Sequence, residues 1–475
     1  MASQSPSFLG LSGRALHWAQ VALVGAPAFI VFGYNQAGVG PLATLQSWVK
    51  TFPQIDTINT TGSLEAHNST SKGAVIASFQ IGALIGALSC TLISDRLGRR
   101  KTIFLGSILT IIGEVLQVAS YGLVQFVIGR IILGMGVEHD TMASPACPVA
   151  APCPCHPSFC LFTSGIAAMA GPGQRAEEAT HSLASLKGLP ANDEAIRAEI
   201  SGIESSLELT AQSKGSLMEM FDPNDQERLF YRFCLCIILQ FFQQMCGGNL
   251  ISVYASTIFE QNLGLSASLS KNLAACALTW KFICCFIAFF TIDRLGRRVV
   301  FMISGTGMAI CMIALAITNS RGTDNKGASI ASVVFIFLFN LFYPIGFLGG
   351  NFLYCTEVAP VRLRVAMSSI STANHWLWNF VVVMVTPIAL DTIGYQYYVM
   401  YAVLSACIPL LVYFFYPETM NRNLELLNHV FRDASSPWKI VSMANHLPQG
   451  EVTEADLMEM NKKGDGCSVE MAEKV

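Results

Sequence analysis

The chain has 475 residues, of which 52% are hydrophobic and only 13% charged, and its mean hydropathy is +0.48. A soluble domain carries about a quarter charged residues, so this composition excludes an ordinary water-soluble fold and points to lipid as the solvent. The net charge is −3 and the basic residues gather in short loops, which excludes a nucleic-acid-binding surface.

In chain order, a short polar N-terminus without a cleavable signal pattern precedes an apolar run at Ala19–Thr44. The polar loop Lys50–Lys72 carries N-x-S/T sequons at Asn59 and Asn68, acceptors that belong on the outer face of a membrane. Apolar runs follow at Gly73–Ser94, Lys101–Tyr121 and Leu123–Val137. After a break come Leu229–Phe259, Asn272–Ile292, Val299–Thr318, Ser329–Cys355, Val365–Leu390 and Tyr397–Tyr416. A bilayer core takes roughly 20 apolar residues per helix. The expected fold is an all-α polytopic membrane protein with ten spans, four before the break and six after it.

The hexapeptide Asp95-Arg96-Leu97-Gly98-Arg99-Arg100 recurs letter for letter at Asp293-Arg294-Leu295-Gly296-Arg297-Arg298. Each copy joins two apolar runs. Two halves on one plan are expected, as in transporters built from internal repeats. Both copies and the stretch Arg362–Arg364 are basic and belong in the cytoplasm. With the sequon loop outside, parity places both termini in the cytosol.

The break has two parts. Ala143–Gly173 is rich in Pro, Ala, Cys and Gly and has no helical period. Its Cys147, Cys153, Cys155, His156 and Cys160 are interleaved with prolines and lack a CxxC pair, which argues against a zinc site. Cys90, Cys276, Cys284, Cys285 and Cys311 lie inside apolar runs, where a thiol acts as a small hydrophobe. Gly173–Lys214 is charged, with Ile196, Ile200, Ile203 and Leu207 at helical spacing, and is expected to form cytosolic linker helices. The organisation expected is an incomplete N-terminal transmembrane half over 1–137, an irregular segment plus linker helices over 138–228, a six-helix C-terminal half over 229–427, and a loosely ordered cytosolic tail over 428–475.

Polar residues inside the runs carry the functional signal. Gln243, Gln244 and Asn249 are amides in an apolar span, where an unpaired amide is costly. On a continuous helix their spacing places Gln243 and Asn249 on one face, two turns apart. Amides donate and accept at once, which suits sugar hydroxyls but equally suits bonding between helices. Trp376 and Trp378 offer aromatic faces to a pyranose ring. In the basic loops arginines sit beside acids, with Glu357 and Arg364 as further partners. Such pairs serve either as breakable latches of a rocking transporter or only to hold the loops inside. Glu114 is an acid within the third run, a candidate for proton coupling or a structural partner. No nucleophile–base pair, metal cluster or phosphate loop suggests an enzyme.

Several of these stretches match one family. They are the two DRLGRR loops, Gly129-Arg130, Gln243-Gln244-Met245-Cys246-Gly247-Gly248-Asn249 with Tyr254, Glu357 with Arg364, Trp376-Leu377-Trp378-Asn379-Phe380, and Pro417-Glu418-Thr419 followed by Leu424-Glu425. They make the chain similar to sugar porters of the major facilitator superfamily, most of all to their fungal branch. The resemblance implies a two-bundle fold that carries a sugar by alternating access, as a facilitator or a proton symporter. It implies no cofactor and no metal, and a monomer in the plasma membrane. The partners it implies are a small sugar, the lipid bilayer and, in a symporter, protons. It implies a substrate site of Gln243, Gln244, Asn249, Tyr254, Lys281, Asn374, His375, Trp376 and Asn379. It implies gating by Asp95, Arg96, Arg99, Arg100, Arg130, Asp293, Arg294, Arg297, Arg298, Glu357, Arg364 and Glu418.

The chain also departs from the family pattern. The motif FGYD reads Phe32-Gly33-Tyr34-Asn35, so an amide replaces a proton-carrying acid and Glu114 becomes the coupling candidate. Lys281 and His375 each stand where the family places an asparagine, with Asn374 as a partial stand-in beside the second. After Gly136-Val137 the pattern disappears, and the fifth and sixth helices have no counterpart. A non-transporting sensor-like or defective relative, or a carrier of an anionic sugar-like substrate, is the alternative.

Overall fold

The computed structural model describes residues 12–20, 22–23, 26–42, 45–57, 59–97, 99–143, 180–181, 183–185, 187–197, 200–201, 217–221, 225, 227–262, 264–321, 325–360, 363–420, 422, 424–434 and 436–445. All regular structure among them is helical. The principal helices are α1 (Ala26–Ala37), α2 (Ser63–Leu97), α3 (Arg99–Val118), α4 (Leu123–Ala143), α5 (Leu229–Met245), α6 (Gly248–Val253) and α7 (Ala267–Leu295). They continue with α8 (Arg297–Ser320), α9 (Lys326–Phe347), α10 (Gly350–Val358), α11 (Arg364–Thr392), α12 (Gln396–Phe415), α13 (Leu424–Asp433) and α14 (Pro437–Asn445).

Among the described residues, eight segments are long and apolar enough to cross a bilayer, against the ten expected. The two exceptions have physical reasons. In the first run, α1 gives way to a short helical turn at Val39–Leu42, where Gly38, Gly40 and Pro41 punctuate the sequence. The fourth run is α4, which carries Arg130, Glu138, His139 and Asp140 and is therefore too polar to count on composition alone. Arg130, Glu138 and His139 are buried, so α4 turns these side chains toward protein and not toward lipid. Helix α4 also continues past Val137 to Ala143, which moves the expected boundary of the first half. Most of the irregular segment, with Cys147, Cys153, Cys155, His156 and Cys160, lies outside the described residues.

Glycines set the packing of the first half. A Cβ on Gly82 would overlap the carbonyl of Ile131, and one on Gly134 would overlap the carbonyl of Phe79, so α2 and α4 touch backbone to backbone. Gly113 and Gly136 do the same between α3 and α4. Lipid supplies no hydrophobic drive between helices, and such close approach is how dispersion replaces it.

The two halves meet along α2 and α11. A Cβ on Gly73 would lie 3.0 Å from the Met384 carbonyl oxygen, and further along Phe79 packs edge-on to Trp376 with ring centres 6.0 Å apart. Another flank of the second half is bare. Only 11% of the apolar window of α7 is buried, against 61% for α8.

The C-terminal region is more ordered than its polarity suggests. Helix α13 begins before the expected boundary at 427, and Leu427, Val430 and Phe431 are buried. The Arg232 guanidinium donates to Asn428 Oδ1 at 2.6 Å and lies 4.1 Å over the Phe431 ring. In α14, Trp438 packs on Phe415 with ring centres 4.9 Å apart. These contacts correct the expectation of a loose tail as far as Asn445; the rest of the tail lies outside the described residues. In the linker, residues 183–185 and 194–197 are helical, with Leu183 and Ile196 buried, while Ile203 and Leu207 lie outside the described residues. Of the two sequons, Asn68 is buried and donates to the Asp56 carbonyl at 2.8 Å, which leaves Asn59 as the exposed acceptor.

Candidate substrate site and loop ion pairs

The site begins with a break in a helix. Helix α5 ends at Met245 and α6 starts at Gly248, with Gly247 between them at φ +90°. An L side chain is strained there, and a Cβ would also overlap the Met312 side chain, so only glycine fits. The expected continuous helix face is thereby corrected. Asn249 is turned back onto Gln244, not Gln243, and donates to its Oε1.

Around this break the amides close into a network. Asn249 Nδ2 also donates to Asn379 Oδ1 at 3.0 Å. Gln244 Nε2 donates to Gln243 Oε1 at 3.2 Å and lies 2.9 Å from the His375 Nε2. Gln243 Nε2 donates to the Tyr343 hydroxyl at 3.4 Å. Every member but Tyr343 is an amide or imidazole with its own donor and acceptor sites, and all are buried. Two further buried donors belong to the same cluster and have no partner among the described residues, Trp376 Nε1 and Asn379 Nδ2.

Aromatic rings wall the network. His375 lies 5.2 Å from Phe352 and 5.1 Å from Trp376. Trp376 is in turn packed on Phe32 of the first half at 5.7 Å. Trp378, two residues on, points to the other side of α11 and packs on Phe241 at 4.8 Å, which removes it from the site. Asn374 is also turned away, donating to the Ile237 carbonyl at 3.0 Å, so it does not replace the amide lost at His375. Tyr254 donates to the Val383 carbonyl at 2.7 Å and stands behind the network. Lys281 of α7 donates to Ser252 Oγ at 2.8 Å and lies 4.7 Å from the Tyr343 ring centre. Tyr343, Phe352 and Ser252 give no signal in the sequence, because each sits in an apolar run as an ordinary packing residue.

In the first half, Arg130 is wholly buried, donates to the Ile76 carbonyl at 3.0 Å, and lies 5.4 Å from the Phe79 ring centre. Glu114 is half-buried on α3. Asn35 is buried with its Nδ2 unpartnered among the described residues.

The second DRLGRR loop forms a compact network of ion pairs. Buried Arg297 pairs with Glu357 at 3.0 Å and with half-exposed Asp293 at 3.2 Å. The other Glu357 oxygen accepts from the Thr419 hydroxyl at 2.6 Å. Glu418 accepts from the backbone N–H of Arg297 at 2.9 Å and of Arg298 at 3.0 Å, a carboxylate on the positive end of α8. Gly296, at φ +89°, leaves room for it, since a Cβ would lie 2.5 Å from Glu418 Oε2. Arg298 lies 5.1 Å from the Tyr413 ring centre, Arg294 is exposed, and Arg364 donates to the Ala359 carbonyl at 3.4 Å. Glu357 thus partners a loop arginine, Arg297, while Arg364 turns to a backbone carbonyl. The side chains of Asp95, Arg96, Arg99 and Arg100 lie outside the described residues.

Comparison with known proteins agrees with this architecture. The fold resembles that of the proton:xylose symporter XylE of E. coli, with a TM-score of 0.65 and 21% identity over 87% of this chain and 98% of that one. In sequence, the chain is 27% identical to Sugar transporter STL1 of Saccharomyces cerevisiae over 95% of its own length and 87% of that protein. It is 29% identical to the MFS-type transporter oryC of Aspergillus oryzae, over 92% and 88%. The alignment to the yeast protein runs over 509 positions, more than this chain's 475 residues, so that relative carries residues this chain lacks. The family model described as Sugar (and other) transporter matches residues 18–151 and 173–431. This chain belongs to that sugar transporter family, within the major facilitator superfamily.

Proposed function

We propose that this multi-pass protein carries a sugar across the plasma membrane by alternating access, as a monomer with both termini in the cytosol. The observation that carries the reading is the buried network of Gln243, Gln244, Asn249, Asn379 and His375 with two unpartnered donors beside it. A sugar presents many hydroxyls that donate and accept, and such a network trades its internal bonds for them at little cost. The sugar-related names of the yeast relative and of the bacterial symporter support the same substrate class.

Gln244 is the hub, touching Gln243, Asn249 and His375. Its replacement by alanine leaves buried partners unpaired, at a cost of about 1–3 kcal/mol. Binding of a radiolabelled hexose to the purified protein is therefore expected to weaken about tenfold to a hundredfold in Gln244→Ala. Unchanged binding in a folded variant would remove the network from the substrate site.

Asn35 carries no titratable proton, which leaves Glu114, half-buried on α3, as the candidate for proton coupling. Glu114→Gln is expected to abolish sugar-driven proton uptake in proteoliposomes while sugar binding persists. Proton uptake that survives this substitution would assign coupling elsewhere.

We also propose that the segment after α4 replaces the family's fifth and sixth helices. The 509-position alignment, the unmatched stretch of the family model between 151 and 173, and the bare flank of α7 support it.

A further inference from the structure

Lys281 is a cation within an apolar span that the amide network leaves unused. It stands on α7 in the stretch Ala267–Leu295, half-buried. Its ammonium has one hydrogen bond, to Ser252, and one ring face, that of Tyr343. Neither is charged. Among the described residues no carboxylate forms an ion pair with it. A cation at this depth in a membrane protein persists where a counter-charge or water meets it.

Its position relative to the amides identifies the counter-charge. Ser252 follows Asn249 by three residues on α6, so both lie on one face of that helix. Tyr343 accepts from Gln243 Nε2 through its hydroxyl and carries the ammonium over its ring. One tyrosine side chain therefore separates the ammonium from the sugar-binding amides, a span comparable to a pyranose. An ammonium offers three donors and a full charge, which suits a carboxylate better than a hydroxyl.

We propose that Lys281 is a specificity-determining residue that anchors a carboxylate on the transported sugar, so that the preferred substrates are sugar acids of the uronate class. The inference rests on the assignment of the amide network as the sugar site. The ring hydroxyls of a uronate meet Gln243, Gln244 and Asn249, and its carboxylate meets Lys281.

The test is equilibrium binding to the purified full chain in nanodiscs, with D-glucuronate and D-galacturonate set against D-glucose and D-galactose. The uronates are expected to bind about tenfold tighter than the matching hexoses, the scale of one charge-assisted contact. Lys281→Gln is expected to erase that preference, and Lys281→Arg, which keeps the charge, to retain it. Hexose binding without a uronate preference, or a preference unchanged in Lys281→Gln, overturns the role of Lys281 and leaves the sugar site standing. Binding of neither class by protein that still shows a cooperative thermal transition overturns both.

Discussion

Glu357→Ala is expected to be among the most destabilising single substitutions in the second half, costing about 3–5 kcal/mol. The reason is what it leaves behind. Arg297 is 1% exposed, so once Glu357 is removed its guanidinium falls back on Asp293, itself 30% exposed and partly screened by solvent. The Thr419 hydroxyl loses its acceptor as well. Asp293→Ala removes the exposed partner and is expected to cost about 1 kcal/mol or less. Thermal unfolding of the detergent-solubilised protein compares the two. Arg297→Ala should match Glu357→Ala, and the double variant should cost far less than their sum, since the pair then leaves together. Equal, small shifts for Glu357→Ala and Asp293→Ala would mean that the network is a solvated surface cluster. The same pair links α8 to α10, with Glu418 and Thr419 closing the end of α12 onto them. A bundle held that way moves as a unit, which is what a rocking half requires.

Much of this architecture is legible in the chain itself. The repeated DRLGRR loops mark the joints of two helix pairs, because arginine-rich loops resist translocation and the repeat fixes their equivalence. Gln243, Gln244 and Asn249 stand out because an amide in an apolar run is conspicuous, and Asn379 and His375 are added by the family resemblance. The bend between α5 and α6 does not, since a glycine pair within an apolar run reads equally as a tolerated helix interior. That bend decides which amide Asn249 meets. Trp378 and Asn374 are near Trp376 and His375 in sequence, yet a helix turns roughly 100° per residue and sends neighbours to different faces. Tyr343 and Phe352 carry no polar signal that sets them apart, and only tertiary packing places them against Gln243 and His375.

Uptake of sugar by this chain is expected to be slow, and to rise by about tenfold or more when a relative's fifth and sixth helices are inserted after α4. In the proposed topology α4 runs toward the cytosol and α5 runs out of it, so loss of two spans preserves the direction of every later helix. Topology therefore tolerates the deletion, while packing does not. Helix α7 has only 11% of its apolar window buried, although it carries Lys281 at the edge of the candidate site. A carrier must keep that site closed to lipid while it opens to one side of the membrane at a time. With the flank bare, polar groups on α7 such as Lys281 border lipid or leaking water, and each unsatisfied group there costs on the order of a few kcal/mol. Several such losses approach a total stability of roughly 5–15 kcal/mol. Thiol labelling in oriented vesicles tests the same point, with Cys147, Cys153, Cys155 and Cys160 expected to react from the cytosolic side. Full protection of all four from both sides, together with brisk uptake by the unaltered chain, would show that this segment crosses the membrane and that the first half is closed without the inserted pair.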